Sequence, residues 1–505
     1  MWAKQVELLL MSYLQPMEFK GNRMRPATPV YMYFTALLLL IYVFMRAMNL
    51  SMTHDEAHTY LAFHDVSVWS CFWSSSCWEN ANNHLLNTLL MQGSVTLFGP
   101  SEWAIRLPNV MAYALYLLVS VRLVSTLAPE KPGLQWVGFI LLNMNPYLLD
   151  FFSLARGYGL SVSFMLTAIW FLFRWMRDDK VKDIGLAYGC LGLAVLSNFT
   201  ALNILASFMI AHGIIGLSLI YYERSTTWKR ILKSAVPGVL LLVLLGIFLA
   251  LPIRELRAQG EFLYGAPSLW DTISILVSDT LYSQHYLGNA TVNTALILFL
   301  ILLIPAIGFG LGIYFIRQEL GVRFYISMVL ILLASFGIML VQHRLLGSQF
   351  LFNRKALMYI PLLALILWLF IRGHWDGLWI RIGGSIVAGF MVYHELRAAN
   401  LTSCREWWYD ADTKSMMLSM QEITKEDPKP VSLGLNWLFM PASEYYRVTG
   451  QMDYLQPLVY DKEIQSDGRF DYYYIDAGDW PKLEAQYDKI VDYGGRYLLR
   501  KKTIH

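Results

Sequence analysis

Long blocks of apolar residues recur along the first four-fifths of this 505-residue chain. An apolar helix of roughly 17–25 residues is long enough to cross the hydrocarbon core of a bilayer. Only 15% of the residues are charged and 56% are hydrophobic, whereas a soluble domain carries about 25% charged residues. The sequence therefore predicts a polytopic α-helical membrane protein. We predict about eleven spans: 30–50, 107–127, 134–152, 158–176, 184–198, 201–221, 233–253, 291–316, 323–342, 356–372 and 377–397.

Basic residues cluster at one end of the predicted spans and set the expected orientation, because Lys and Arg accumulate in cytoplasmic loops. The apolar run that begins near Val30 is followed by no small-residue cleavage site, so we expect an uncleaved anchor. The N-terminus is then cytoplasmic and the C-terminus lies outside. The residues on the cytoplasmic side are Lys20, Arg23, Arg25, Arg174, Arg177, Lys180, Lys182, Arg224, Lys229, Arg230, Lys233, Arg317, Arg323, Arg372 and Arg381.

The chain divides into three predicted segments. Residues 1–29 form an N-terminal cytoplasmic or interfacial segment, in which the weakly amphipathic stretch 1–20 either lies on the membrane or is a disordered tail. Residues 30–398 form the transmembrane domain, and residues 399–505 form a soluble periplasmic domain. From residue 401 onward, 17 acidic and 13 basic residues mark the change of composition.

The C-terminal segment alternates between two kinds of pattern, which predicts a small α/β domain. Helix-like runs occupy 413–424, 441–449 and 481–491. Strand-like runs occupy 430–436, 455–460, 471–475 and 496–500.

The outer loop 51–106 is too long to be a simple connection, which favours a functional loop. We expect a short interfacial helix over 83–98. Cys71 and Cys77 could pair if the loop faces an oxidising compartment. No two cysteines have the C-x2-C spacing of a metal site, and the net charge of +3 is too small to indicate a nucleic-acid partner.

The tripeptide His54-Asp55-Glu56 follows the first predicted span directly. A carboxylate near the membrane surface can act as a general base. The alternative is structural, because Asp and Glu also favour helix starts, where they meet the positive end of the helix dipole. Both interpretations stay open from the tripeptide alone.

Several cationic residues are predicted on the same outer surface as the carboxylates: Arg156, Arg344, Arg354 and Lys355. Clustered cations fit an anionic phosphate, and Arg binds one bidentately.

Other basic residues have simpler interpretations. We expect Arg46 and Arg122 to be interfacial anchors that extend to the lipid headgroups. Glu102 and Arg106 are expected to pair at the foot of the second span.

Five motifs follow one another on the predicted outer face: THDEAHTY (53–60), NNHLLNTLL (82–90), FGPSEWAIRLPNV (98–110), SLARGYGLS (153–161) and FNRKALMYIPLLALI (352–366). In their order and sidedness, over roughly residues 30–370, they resemble the bacterial GT-C glycosyltransferases. Within that superfamily the chain is similar to protein O-mannosyltransferases (glycosyltransferase family 39) and to lipid A aminoarabinose transferase.

The resemblance implies an enzyme of the bacterial inner membrane that moves a sugar from a polyprenyl-phosphate carrier to an acceptor hydroxyl, usually with inversion. Asp55 would be the base, and Glu56 would position the acceptor or Asp55. Arg156 and Arg354 would stabilise the leaving phosphate, with Arg344 and Lys355 as weaker candidates. The substrate-binding candidates are His84, Asn83, Tyr158 and Tyr359.

His84 has three open interpretations. It binds acceptor or phosphate, it joins His54 and Asp55 in a divalent metal site, or its neighbouring Asn residues satisfy it. The mannosyltransferase-like enzymes generally use no metal, so no cofactor is expected. The family commonly has a Pro soon after this His, whereas Leu85 and Leu86 follow here, which leaves the donor and acceptor open.

Three other functions remain as alternatives. One is transfer of a whole oligosaccharide by the same superfamily. Another is a transporter or flippase of lipid-linked sugars, although most membrane-embedded charge lies at helix ends and no internal symmetry is visible. The last is a non-catalytic scaffold, which leaves the acidic loop and the basic cluster unexplained.

Overall fold

The computed structural model describes residues 29–222, 228–314, 319–425 and 429–502. The predicted interfacial segment 1–20 lies outside the described residues. Within the described ranges the chain is mostly helical, with one small sheet. The α-helices are α1 (Val30–Asn49), α2 (His54–Phe63), α3 (Val68–Cys71), α4 (Leu85–Phe98), α5 (Glu102–Leu127), α6 (Pro132–Asn143), α7 (Pro146–Phe152), α8 (Gly157–Asp178), α9 (Val181–Ser197), α10 (Ala201–Tyr222), α11 (Trp228–Ala258), α12 (Leu269–Thr280), α13 (Thr291–Tyr314), α14 (Leu320–Leu346), α15 (Tyr359–Gly373), α16 (Leu378–Ala398), α17 (Thr413–Thr424), α18 (Met440–Thr449) and α19 (Trp480–Leu483).

Seven helices within the described ranges are long and apolar enough to cross a membrane. They include the first predicted span, and the polytopic helical fold is confirmed. The other predicted spans correspond to shorter helices (α9 and α15), to a broken helix (α6 and α7) and to α16, which carries Arg381 and Glu395. The seven are Val30–Asn49, Glu102–Leu127, Gly157–Asp178, Ala201–Leu219, Trp228–Ala258, Gly288–Phe309 and Leu320–Leu346.

The single span predicted over 134–152 is wrong, because the chain there forms two helices. Helix α6 ends at Asn143 and α7 starts at Pro146. Proline has no backbone N–H and forces the preceding residue out of the helical region. Asn145 is accordingly extended, and its side chain caps α7 by accepting the Leu148 N–H at 3.0 Å.

The chain forms two compact units, and the first contains most of the membrane helices. It comprises the described residues of Met1–Val43, Trp69–Asn87 and Asn109–Ala399. Within it α8 packs along α9, α10 packs on α14, and α6 packs on α15. Buried apolar side chains such as Leu166, Phe173 and Trp368 fill these helix contacts.

The second unit comprises Phe44–Val68, Thr88–Pro108 and the described residues of Asn400–His505. Its sheet has the order β2-β1-β3-β5-β4. Strand β1 pairs in parallel with β2 and β3, and β5 pairs antiparallel with β3 and β4. Helix α18 packs on α2. The small α/β domain predicted for the C-terminal segment is therefore confirmed. The strands are β1 (Leu433–Asn436), β2 (Val459–Asp461), β3 (Tyr472–Asp476), β4 (Tyr487–Asp492) and β5 (Arg496–Lys501).

The helix predicted over 481–491 is wrong. A four-residue helix, α19, ends at Leu483, and strand β4 follows. Gly494 (φ +77°) and Gly495 (φ +109°) adopt left-handed backbone between β4 and β5, so the chain turns back and pairs β4 with β5. Glycine adopts this conformation without a steric penalty, and tertiary pairing overrides the helical pattern.

Arg46, near the end of α1, is not the exposed anchor that the sequence predicted. Its side chain is only 2% exposed. The guanidinium donates to the carbonyls of Asn400 at 2.7 Å and Ser403 at 3.0 Å, both within the second unit. Arg122 is exposed, as expected of an anchor.

Candidate functional site

Helix α2 begins within the acidic tripeptide, in the second unit. Thr53 is the N-cap, and its side chain accepts the N–H of Glu56. Glu56 reaches back, and its Oε2 accepts the Thr53 N–H at 3.1 Å. This reciprocal capping box satisfies backbone donors that the first helical turn would otherwise leave unpaired. The structural interpretation of the tripeptide therefore holds for Glu56.

Glu56 also binds Arg106, and both side chains are fully buried. Arg106 donates from Nε to Oε1 at 2.9 Å and from Nη2 to Oε2 at 2.7 Å. Three more N–H groups donate to the carbonyls of Ala47, Leu50 and Ser51 at 3.1, 2.7 and 2.7 Å. All five donors of the guanidinium are thus used, and they join the end of α1 to the start of α2.

The predicted pairing of Glu102 with Arg106 is wrong. Glu102 instead pairs with Lys414 at 2.8 Å and accepts the hydroxyl of Tyr446 at 3.2 Å. The side chains at positions 102 and 106 lie one helical turn apart, a spacing that favours a local pair. Arg106 instead pairs with the buried carboxylate of Glu56. An uncompensated charge costs far more free energy when it is buried than when it is exposed to solvent.

Asp55 occupies the second position of α2 and is 7% exposed. Its neighbour His54 is held at both ends: the backbone N–H donates to Asp410 Oδ2 at 2.6 Å, and ring Nδ1 lies 2.8 Å from the Leu438 carbonyl. Asp410 is fully buried, and burial together with the like charge of Asp55 raises the pKa of Asp410 well above its ordinary value. The first turn of α2 is therefore fixed in place around Asp55.

The first unit contains a cavity of about 390 Å³ that collects several of the predicted cations. Three of its lining residues are cationic and one is acidic. Arg and Lys side chains bind carboxylates and phosphates, so the cavity suits an anionic ligand. The lining residues are Asn80, Ala81, Asn82, Arg156, Tyr158, Gln259, Gly260, Glu261, Tyr264, Phe352, Asn353, Arg354 and Lys355.

Arg156 is the most buried cation of this cavity, with 1% of its surface exposed. It is the N-cap residue of α8 and donates to the Asn82 backbone carbonyl and side-chain Oδ1, each at 3.2 Å. The next residue, Gly157, allows this placement, because a Cβ there would lie 1.8 Å from the Ser197 carbonyl oxygen and 2.9 Å from His84 Cβ.

Arg354 and Lys355 lie in a 3₁₀ helix that spans Asn353–Ala356. Lys355 Nζ donates to the Tyr264 carbonyl at 2.9 Å and lies 5.5 Å from the centre of the Tyr264 ring. This cation–π contact keeps the ammonium group at the cavity wall. The structure thus brings Arg156, Arg354 and Lys355 together with Tyr158.

Arg344, Asn83, His84 and Tyr359, the other predicted binding residues, do not line this cavity. Arg344 is exposed in the last turn of α14. The Tyr359 hydroxyl lies 2.6 Å from Ser335 Oγ within the helix bundle.

His84 and Asn83 are buried with specific partners. His84 Nδ1 lies 2.9 Å from the Ser197 carbonyl, and its ring meets Tyr158 edge to face. The Ser197 carbonyl is thus one partner of the His84 ring. Asn83 Nδ2 lies 3.6 Å from the sulfur of Cys71, which forms a disulfide with Cys77.

No group of three His, Cys, Asp or Glu side chains that could hold a metal ion occurs among the residues that the structure describes.

Sequence reasoning gave no individual role to four residues of these sites: Asp410, Gln259, Gly260 and Glu261. Asp410 contacts His54 and Glu261 contacts Ala81 through the folded chain, and neither Asp410 nor Glu261 belongs to one of the five motifs. Gln259 and Gly260 lie between α11 and α12, and neither residue belongs to one of the five motifs.

Comparison with known proteins agrees with this architecture. Residues 84–253 match the family model of dolichyl-phosphate-mannose-protein mannosyltransferases. No curated protein sequence is significantly similar to the chain. Among solved structures, ArnT from Cupriavidus metallidurans bound to undecaprenyl phosphate is 10% identical, with a TM-score of 0.51 over 93% of this chain and 97% of that one. The apo state of the same protein gives 10% identity and a TM-score of 0.52 over the same shares of the two chains. The resemblance of this chain to GT-C glycosyltransferases of the ArnT and protein mannosyltransferase type is therefore confirmed.

Proposed function

We propose that the chain is an inverting glycosyltransferase that moves one hexose or pentose from a polyprenyl-phosphate carrier to an acceptor hydroxyl on a protein, lipid or glycan. The observation that carries the proposal is the cavity with Arg156, Arg354 and Lys355 in its wall. The likeness to a structure that holds undecaprenyl phosphate agrees with it. The reaction takes place at the outer face of the bacterial inner membrane, with the N-terminus inside and the C-terminal domain outside.

The leaving group decides what chemistry the cavity must supply. A polyprenyl phosphate is already a weak base when it leaves, so it needs no proton from a general acid. It does need positive charge where negative charge develops in the transition state. Arg156 is held by Asn82 before any ligand arrives, so little reorganisation is required as the bond to the sugar breaks.

The acceptor hydroxyl must lose a proton as it attacks the sugar. Asp55 is the proposed base, and it lies in a helix turn that Thr53, Glu56 and Asp410 hold in place. Glu56 is unsuited to act as a second base, because its charge is already compensated by Arg106. We assign Glu56 the task of fixing the turn that carries Asp55.

Asp55→Asn tests the role of the base. We expect the variant to bind donor like the wild type and to lose transfer by at least about 100-fold, the typical contribution of general base catalysis. Transfer from radiolabelled undecaprenyl-phosphate sugars to cell-envelope extract would measure the effect. Equal transfer by both proteins would remove Asp55 from the mechanism.

Arg156→Ala tests the role of the cavity. Loss of a charge-assisted contact should weaken binding of undecaprenyl phosphate by about tenfold or more. Arg122→Ala is the matched control, since Arg122 is exposed and should leave the affinity unchanged. Equal affinity of Arg156→Ala and the control would show that the phosphate does not bind in this cavity.

A further inference from the structure

One feature of the cavity has no role in holding a phosphate. Among its described lining residues Glu261 is the single carboxylate, and three of the others are cationic. A carboxylate close to a phosphate raises the electrostatic energy of the complex, because like charges repel. Glu261 would therefore weaken the binding of the carrier unless it contacts another part of the donor.

The backbone holds Glu261 firmly at the wall. Gly260, with φ +79°, precedes the 3₁₀ helix Glu261–Leu263 and supplies the left-handed turn that starts it. The Phe262 carbonyl accepts the Gln349 N–H at 2.9 Å. Glu261 Oε1 accepts the Ala81 N–H at 3.3 Å. A carboxylate has about four acceptor sites, so the contact with Ala81 leaves it the capacity to receive hydrogen bonds from a ligand.

Sugar hydroxyls are the donors that such a carboxylate prefers. Hydrogen bonds from hydroxyls to an ionised carboxylate are shorter and stronger than those between neutral groups. Tyr158 and Tyr264 also line the cavity, and aromatic faces pack against the apolar faces of sugar rings. The cavity therefore offers cations for a phosphate and a carboxylate with aromatic rings for the sugar attached to it.

We infer that Glu261 is the sugar-recognising residue of this cavity and that the donor sugar carries no negative charge. The inference rests on the proposed function, because it presumes that the phosphate of the donor binds Arg156, Arg354 and Lys355. A uronic acid would bring a second carboxylate against Glu261, so the site rejects it. A sugar with hydroxyl groups alone satisfies Glu261 and is accepted.

Three probes separate recognition of the sugar from recognition of the phosphate: undecaprenyl phosphate, undecaprenyl-phosphate glucose and undecaprenyl-phosphate glucuronic acid. The last two differ only in the oxidation state of carbon 6. Their dissociation constants would be measured in detergent micelles for the wild type and Glu261→Gln. The matched control is Glu255→Gln, since Glu255 pairs with Arg254 and does not line the cavity.

We expect the wild type to bind the glucose donor more tightly than the glucuronate donor by about tenfold or more. Glu261→Gln keeps an oxygen that can accept the Ala81 N–H. It should bind the glucose donor more weakly and the glucuronate donor more tightly, and undecaprenyl phosphate as well as or better than the wild type. Glu255→Gln should reproduce the wild-type order.

Two results would overturn the inference. The first is that the wild type binds the glucuronate donor as tightly as the glucose donor, which contradicts the inference whatever the variants do. The second is that Glu261→Gln changes the affinity for all three probes equally, which would show that Glu261 only stabilises the structure through its contact with Ala81. Failure of the proposed function would give a different result. The wild type would then not bind undecaprenyl phosphate, or Arg156→Ala would bind it as tightly as the wild type.

Discussion

Replacement of Arg106 by Met should reveal how strongly the buried ion pair holds the turn that carries Asp55. The change removes five hydrogen bonds, two of them to Glu56 and three to the backbone carbonyls at the end of α1. It leaves Glu56, which is fully buried, as an uncompensated charge. Removal of one partner of a buried ion pair costs about 3–5 kcal/mol. We expect a loss near the upper limit, because three carbonyls lose their donor as well.

The measurement is the free energy of unfolding in mixed micelles, titrated with a denaturing detergent and followed by circular dichroism. Glu56→Gln and the double variant complete a double-mutant cycle. The amide oxygen introduced by Glu56→Gln can still accept the Thr53 N–H, so the cycle isolates the contact with Arg106. We expect a coupling energy of at least about 2 kcal/mol, since groups in one buried network are strongly non-additive.

Arg106→Lys provides an internal comparison. Lys keeps the charge but offers three donors in place of five, so its loss of stability should fall between those of the wild type and Arg106→Met. Single-variant effects that add to within about 0.5 kcal/mol would refute the reasoning. The ion pair would then be no more than two independent contacts.

Three further predictions concern other parts of the fold. Gly157→Ala should destabilise the protein by about 1–3 kcal/mol or more in a thermal unfolding assay, because a Cβ at this position would lie 1.8 Å from the Ser197 carbonyl oxygen. Gly189→Ala is the control and should be neutral in the same assay, because no atom lies within 4 Å of a Cβ placed there. The raised pKa of Asp410 means that the folded state prefers the protonated carboxyl group. The stability that Asp410 contributes is therefore fully present below the ordinary pKa of a carboxyl group and is lost as the pH rises through the folded-state pKa. Asp410→Asn should therefore gain stability relative to the wild type as the pH rises above the ordinary pKa of a carboxyl group, and a pH-independent difference in melting temperature would contradict this. Denatured, unreduced protein from membranes should react with maleimide only at Cys190 and Cys404, because Cys71 and Cys77 form a disulfide. Reduction should expose two more reactive thiols. Four reactive thiols before reduction would place the loop in a reducing compartment.

Local patterns predicted most of the elements of this fold. Apolar blocks predicted the membrane helices because every backbone group must be satisfied within a helix in lipid. Helix α17 (Thr413–Thr424) has the predicted bounds, since its apolar period and its polar flanks lie within one short segment. The failures were at Pro146 and at β4, where a single proline and a distant strand partner outweigh the periodicity.

The sequence by itself determined the membrane class of the protein, its small C-terminal α/β domain and its resemblance to GT-C enzymes. The roles of Asp55, Arg156 and Arg354 are proposals that this resemblance implies. Only the tertiary structure decided the partners of buried charges, such as Arg106 with Glu56 and Asp410 with His54. Their separations of 50 and 356 residues lie far beyond the reach of any local pattern. Burial makes an uncompensated charge costly, and burial is a property of the folded chain, so the choice of partner depends on where the chain folds.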